Sequence, residues 1–172
     1  YQVDLKGEVS MNSINELLLI YGSNITKIKE LVLAGANVNY VSPEGLTPLS
    51  CAESVEVAQF LLSRGADVNA TNEDGKTALF SVSNVDTCRF LIENGARVNH
   101  VNNKHETALF YTTDMKKIRL LVEAGCDPLV RSYDGKRHYD LLAHNQKVSF
   151  INFLANRKKK METVNAPLAL AF

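Results

Sequence analysis

The chain has 172 residues, 45% hydrophobic and 22% charged, which suits one globular domain or one short repeat array and not a disordered chain. Its 19 lysines and arginines balance 19 aspartates and glutamates, so the basic excess expected of a nucleic-acid-binding protein is missing. No apolar run approaches the roughly 18–20 residues that cross a bilayer, and three cysteines without a CxxC pair indicate neither a disulfide framework nor a zinc site.

A 30-residue period organises the sequence. A shift of 30 superimposes four glycines and four leucines, namely Gly35, Gly65, Gly95, Gly125 and Leu31, Leu61, Leu91, Leu121. The same shift aligns a threonine, a leucine and an alanine column: Thr47, Thr77, Thr107; Leu49, Leu79, Leu109; and Ala36, Ala66, Ala96. A period of this size with glycine and leucine in register is typical of a solenoid of stacked units.

Each unit is predicted to hold two helices and a finger-like loop. Thr47 followed by Pro48 provides an N-cap and a favoured first helical position, so a short helix is expected to start there. A second column of capping side chains starts the second helix of each unit: Asn24, Ser54, Asn84 and Asp114. The glycine column ends this helix. Extended segments around a turn, such as that at Gly75, then form the finger.

These residues resemble the ankyrin repeat. GLTPL at 45–49, GKTAL at 75–79 and GADVN at 65–69 match the TPLH and GADVN signatures of that family, and the resemblance covers about residues 12–154. It implies an all-α repeat solenoid, an ankyrin-like stack of helix-helix-finger units.

The sequence departs from the ankyrin pattern in two ways. The unit of 30 residues is shorter than the roughly 33 residues of the family, which predicts a first helix of about two turns or less. Ser50, Phe80 and Phe110 stand where the family has a histidine after TPL. We expect stacked phenyl rings to replace the hydrogen bonds of that histidine.

The two ends of the array are predicted to be degenerate caps, because a terminal unit has only one neighbour. Leucines 17 to 19 replace TPL at the front, and Arg137-His138-Tyr139 replaces it at the back. The predicted divisions are an N-terminal tail at 1–11, a cap at 12–40, full repeats at 41–70, 71–100 and 101–130, a cap at 131–154, and a C-terminal tail at 155–172.

The C-terminal tail is basic and then apolar. A last helix is predicted from about Lys147 to Leu154, and Arg157 to Lys160 follow it. We interpret this basic run as a solvated helix end, where cations interact favourably with the helix dipole; a nucleic-acid or acidic-membrane patch is the alternative. The apolar residues 166–172 either fold back on the last repeat, insert into a partner, or are disordered.

No catalytic, cofactor or metal motif occurs in the sequence. GxSxG, HExxH, GxxxxGKS/T and GxGxxG are absent, and repeat arrays seldom enclose a water-excluded pocket. Cys88 and Cys126 fall in columns of small or apolar residues and Cys51 lies on a short first helix, so all three are interpreted as structural. We therefore expect no enzyme activity, no cofactor and no metal.

Partner contacts are predicted on the fingers and the exposed sides of the first helices, where the units differ most. The fingers and first helices of stacked units are expected to form a concave strip, and the ankyrin resemblance implies that this strip binds a partner protein. Tyr111 and Tyr133 are the preferred anchors, because tyrosine offers a large contact area at low entropy cost. His105 occupies a turn position that other units give to glycine, where a positive φ is expected. The other predicted contacts are Glu44, Leu46, Glu73, Asp74, Lys76, Lys104, Glu106, Arg131 and Lys136.

We predict a non-enzymatic, monomeric module that binds one partner protein, without nucleic acid and without a membrane span. The chain also resembles small bacterial ankyrin proteins, some of which are immunity proteins, which implies an inhibitor or immunity role against a toxin or effector. Two alternatives stay open: a structural, self-associating scaffold, or a fragment of a larger secreted effector. Because the sequence starts at Tyr1, a removed signal or lipoprotein sequence and a trimmed chain are both compatible with it. The location is therefore left open between the cytoplasm and the periplasm.

Overall fold

A computed structural model describes residues 11–164 as a stack of helical units without β-strands in that range. The apolar segment 166–172 and nearly all of the predicted tail 1–11 lie outside the described residues. The helices are α1 (Met11–Ile20), α2 (Ile25–Leu33), α3 (Val55–Ser63), α4 (Ala78–Ser81), α5 (Val85–Glu93), a 3-10 helix (Ala108–Tyr111), α6 (Met115–Glu123), α7 (His138–Leu141) and α8 (His144–Val164).

The second helices of the units begin and end as predicted. The four of them, α2, α3, α5 and α6, have 9 residues each, and the predicted capping side chains all accept hydrogen bonds from main-chain N–H groups of the first turn. Gly65 follows α3 with φ 88°, the left-handed conformation that glycine adopts without penalty. Gly35, Gly95 and Gly125 have the same conformation.

The first helices are as short as the 30-residue unit predicts. α4, the 3-10 helix and α7 have four residues each. In the unit 41–70 only a turn forms after Thr47, in which the N–H of Ser50 donates to Thr47 Oγ1 at 3.1 Å. The helix predicted after Thr47 is therefore wrong, although its threonine cap is present. Thr77 and Thr107 make no such cap bond.

The core lies between consecutive units and follows the columns of the repeat. Leu61, Leu91 and Leu121 are fully buried, as are Ala58, Cys88 and Ile118 one turn before them. Successive second helices contact each other in chain order, from α2 to α3, α5 and α6, and α6 contacts α8. Sequence order therefore becomes spatial order along the stack. Cys88 and Cys126 are buried, as their columns predict, whereas Cys51 is half-buried.

The rings of Phe80 and Phe110 pack differently from the prediction. Phe80 meets Tyr111 of the next unit, with ring centroids 5.4 Å apart, and Phe110 meets His138 at 6.4 Å. Each phenyl ring thus packs on an aromatic side chain of the following unit, and the expected stack of phenyl on phenyl is not formed. The contacts still join neighbouring units, which is the role that was expected of them.

The last helix is longer than predicted. α8 has 21 residues, whereas the sequence pattern indicates a helix only from Lys147 to Leu154. Its buried anchor is Phe150, which meets the ring of His138 edge to face at 5.7 Å. The basic run Arg157 to Lys160 therefore lies within α8 and not at its end. Lysine, arginine and methionine are good helix formers, so the helix continues through them.

Candidate functional site

Four loops of similar shape carry most of the predicted contact residues. We name them finger 1 (41–46), finger 2 (71–76), finger 3 (101–106) and finger 4 (131–136). In each, the N–H of the second residue donates to the carbonyl of the sixth at 2.9–3.0 Å, as from Asn72 to Lys76 in finger 2. The side chains at the tips, among them Glu44, Asp74, Lys104 and Tyr133, are exposed.

Hydrogen bonds join each finger to the next. Asn72 Nδ2 donates to the Gly45 carbonyl at 3.1 Å, and the N–H of Asn103 donates to the Asp74 carbonyl at 2.9 Å. The N–H of Tyr133 donates to the Lys104 carbonyl at 3.0 Å. The four fingers therefore form one row with a fixed spacing, and their tip side chains are presented together.

Tyr111 and three predicted contact residues form a network between fingers 2 and 3. The Tyr111 hydroxyl donates to Glu106 Oε2 at 2.7 Å and accepts from Asn102 Nδ2 at 2.9 Å. Lys76 Nζ lies 4.7 Å from the centroid of the Tyr111 ring and donates to Asp74 Oδ2 at 3.0 Å. A cation over an aromatic face is attracted by the ring quadrupole.

The network shifts the ionisation of two of its members. The pKa of Tyr111 is raised mainly by partial burial and, to a smaller extent, by the hydrogen bond to Glu106. The bond to Asp74 raises the pKa of Lys76. Tyr111 is 39% exposed, so a partner can touch its ring, but the hydroxyl already has two partners within the chain. The hydroxyl of Tyr111 is therefore engaged within the chain, and its ring is the part that stays open to a partner.

His105 and Tyr133 form an aromatic pair between fingers 3 and 4. Their ring centroids are 5.4 Å apart, and His105 has φ 60°, which confirms the positive φ predicted for it. His105 Nδ1 lies 2.8 Å from the Arg131 carbonyl and donates to it in the tautomer that carries a hydrogen on Nδ1. Gly75 is the residue of finger 2 at the position of His105. A Cβ added to Gly75 would lie 2.6 Å from Asn103 Oδ1, which is too close for a side chain to fit there without a shift. Tyr133 occupies the Asn103 position in finger 4 and is 77% exposed.

Three cations lie on the same two fingers as this aromatic pair. Lys104, Arg131 and Lys136 are exposed, and Arg131 Nη1 donates to the Gly135 carbonyl of its own finger at 2.7 Å. We name the group of Lys104, His105, Arg131, Tyr133 and Lys136 the basic tip cluster. The other predicted contacts, Glu44, Leu46 and Glu73, lie on fingers 1 and 2, and among the described residues their side chains are part of neither the cluster nor the Tyr111 network.

Asparagines that the sequence analysis missed tie the units together on a second edge. Asn69 Nδ2 donates to the Gly95 carbonyl at 3.0 Å, and its Oδ1 accepts from the N–H of Arg97 at 3.0 Å. Asn39 and Asn99 make the equivalent pairs of bonds. The signal was present in ANVN, ADVN and ARVN, whose last asparagine recurs every 30 residues. We name these three residues the asparagine ladder.

Two buried titratable groups were also not recognised as such from the sequence. Lys117 is buried, its Nζ donates to the Val82 carbonyl, and burial lowers its pKa. Burial lowers the pKa of His138 to about 4. Both lie inside the stack and not on the row of fingers. In residues 11–164, no three His, Cys, Asp or Glu side chains form a group that could hold a metal ion.

The part of the chain that the structure describes holds no helix long and apolar enough to cross a membrane. Comparison with curated proteins gives no match. A family model described as ankyrin repeats in three copies matches residues 17–102 and 52–132, which is more than half of the chain. Ankyrin repeats are in general protein–protein interaction modules of a non-enzymatic fold. The chain therefore belongs to the ankyrin repeat family.

Proposed function

We propose that the chain binds one partner protein, without catalysing a reaction, and covers a surface of that partner with its fingers and the exposed sides of its short first helices. The observation that carries this proposal is the set of hydrogen bonds between consecutive fingers, such as that from Tyr133 to Lys104. Loops that are held in place before binding lose little conformational entropy in the complex.

Tyr133 is the main anchor in this proposal. It is the most exposed aromatic side chain among the described residues of the fingers, and its ring rests on His105. A large aromatic ring with few rotatable bonds is the usual centre of a protein interface. Tyr111 contributes a ring face only, and the charged tips adjust association rate and selectivity more than affinity.

The finer proposal is that binding inhibits the partner, as an immunity protein inhibits a toxin or effector. A chain that only binds acts by covering a surface, and about 800 Å² per partner is enough for a specific complex. The test is the activity of the captured partner with one equivalent of the chain. Full activity in a saturated complex would contradict inhibition and would favour an adaptor.

Tyr133→Ala tests the binding surface. Leu33→Ala is the matched control, because Leu33 is 78% exposed at the end of α2 and Tyr133 is 77% exposed on finger 4. Both variants remove an exposed apolar group, so both are expected to fold. After capture from a lysate of the native organism, titration calorimetry with the purified partner is expected to show at least tenfold weaker binding for Tyr133→Ala. Equal affinities of the two variants would contradict the proposed surface.

One observation favours a second function, self-association at the C-terminal end. Val148 and Ile151 of α8 stand in the columns of Ile118 and Leu121, which are fully buried in α6, yet they are 48% and 50% exposed. An end unit of a solenoid with exposed apolar side chains tends to stack on another molecule. A dimer in sedimentation that Ile151→Lys dissociates would support this role. A monomer at tens of micromolar would exclude it.

A further inference from the structure

The balanced net charge of the chain hides a strong separation of charge. Residues 1–100 carry 7 lysines and arginines and 12 aspartates and glutamates, whereas residues 101–172 carry 12 and 7. The division falls between finger 2 and finger 3. Because sequence order is spatial order in a solenoid, the stack has an acidic N-terminal part and a basic C-terminal part.

The same separation is present in the row of fingers. Finger 1 and finger 2 present Glu44, Glu73 and Asp74, and the one cation among them, Lys76, is paired with Asp74 at 3.0 Å. On fingers 3 and 4, Lys104 and Lys136 have no carboxylate within 4 Å among the described residues. The cations of the basic tip cluster are thus available to a partner.

The carboxylates nearest in sequence to the basic tip cluster do not neutralise its cations. Glu106 accepts from the Tyr111 hydroxyl and from Asn102 Nδ2, so its carboxylate is engaged inside the Tyr111 network. Asp134 is exposed at the tip of finger 4 and is the one carboxylate there. Fingers 3 and 4 therefore carry three exposed cations, one free carboxylate and an exposed aromatic pair.

We propose that the basic tip cluster binds an acidic segment of the partner protein, whose carboxylates pair with Lys104, Arg131 and Lys136 while an apolar or aromatic side chain packs on Tyr133. This inference rests on the proposed function and specifies the chemistry of the partner. Arginine binds a carboxylate through two parallel hydrogen bonds, which adds geometric selectivity to the charge.

A protein suits the whole row better than a nucleic acid does. A phosphate backbone is uniformly negative, so where it followed the row it would be repelled by the acidic tips of fingers 1 and 2. A protein can offer carboxylates to fingers 3 and 4 and basic side chains to Glu44 and Glu73, and such sign matching also excludes wrong partners.

The experiment uses a fluorescein-labelled peptide of alternating glutamate and tyrosine and its glutamine counterpart, with fluorescence anisotropy as the readout. The glutamate peptide is expected to bind and to weaken as salt is raised. Lys104→Gln/Lys136→Gln is expected to lower its affinity about tenfold, from two exposed ion pairs. The control Arg89→Gln/Lys116→Gln removes two exposed cations from α5 and α6 and is expected to leave the affinity unchanged.

Three results would overturn the proposal. The first is equal binding of the glutamine peptide or of the Lys104→Gln/Lys136→Gln variant. The second is displacement of the peptide by a single-stranded oligonucleotide at lower concentration, which would indicate a nucleic-acid partner. The third is a dimer in sedimentation that dissociates in high salt, which would make the acidic half of a second copy the occupant.

Failure of this inference and failure of the proposed function are distinguishable. If the captured partner loses affinity for Tyr133→Ala but binds Lys104→Gln/Lys136→Gln like the unchanged chain, the partner does not use the cations and only the inference is wrong. If the partner binds Tyr133→Ala as tightly as the unchanged chain, the proposed surface itself is wrong, whatever the peptide does.

Discussion

Asn69 shows how a single side chain couples two units of the stack. Its carboxamide donates to the Gly95 carbonyl and accepts from the N–H of Arg97, so both ends bond to main-chain groups of the following unit. These main-chain groups lie in the loop after α5, where no helix or strand supplies a partner. Polar main-chain groups that lose their partner cost free energy, and the asparagine prevents this cost.

Asn69→Ala is therefore expected to destabilise the stack. The loss of two hydrogen bonds at a half-buried site lowers the free energy of unfolding by about 1–3 kcal/mol. Asn94→Ala is the control, because Asn94 Nδ2 bonds only to the Phe90 carbonyl within its own unit. Urea unfolding followed by circular dichroism measures both. Equal midpoints for the two variants would contradict a role of the asparagine ladder in coupling.

His105 shows how far residue-level prediction from sequence reaches. Its positive φ follows from the glycine column alone, since three equivalent positions carry glycine. Its contact with Tyr133 does not follow, because that contact depends on the distance between two fingers. The same holds for the asparagine ladder, whose partners lie in another unit. A repeat in the sequence fixes the conformation of each unit but not which atoms meet between units.

At the scale of elements, the contact between α7 and α8 depends on a neutral histidine. His138 lies between Phe110 and Phe150, at 6.4 Å and 5.7 Å between ring centroids. Burial lowers its pKa to about 4 from an ordinary value of 6.5, and the Leu109 main chain opposes this shift. A charged imidazolium at this buried site would lose its hydration, and the Leu109 main chain does not compensate for that loss.

The C-terminal end is consequently expected to lose stability in acid. Because the unfolded chain protonates His138 near pH 6.5 and the folded chain only near pH 4, its contribution is complete above 6.5 and is lost as the pH falls through this window. The full loss is about 3 kcal/mol. Urea unfolding at a series of pH values measures it, and His138→Leu is expected to remove this part of the pH dependence. An unchanged pH profile in His138→Leu would contradict the assignment.

The sequence predicts the ends of some helices and not of others. The capping column and the glycine column bound α2, α3, α5 and α6, and these helices have the predicted starts and ends. α8 has no glycine after it, and its helix-forming residues run on to Val164. Without a stop signal, the predicted end at Leu154 reflected where the apolar pattern weakened and not where the helix ends.

At the scale of the whole molecule, the main contacts between helices of residues 11–164 join neighbouring units. α2 contacts α1 and α3, whereas α8 contacts α6, so a defect at one end has no direct path to the other. The stability of such an array is close to a sum of unit terms and nearest-neighbour terms. Truncating a buried side chain leaves a cavity and destabilises the helices next to it. Where that side chain lies along the stack therefore decides which helices are destabilised, even when two truncated side chains are equally buried.

Phe150→Ala and Leu91→Ala test this property. Phe150 is a buried residue of α8 at one end of the stack, and Leu91 is a buried residue of α5 in the middle. Each truncation costs about 2–5 kcal/mol. Phe150→Ala is expected to speed amide hydrogen exchange in α6, α7 and α8 while α2 and α3 keep their protection, whereas Leu91→Ala speeds exchange in α3, α5 and α6. Uniform acceleration by both variants would mean that the stack opens as one cooperative unit. In that case either truncation would loosen the whole row of fingers, wherever it lies along the stack.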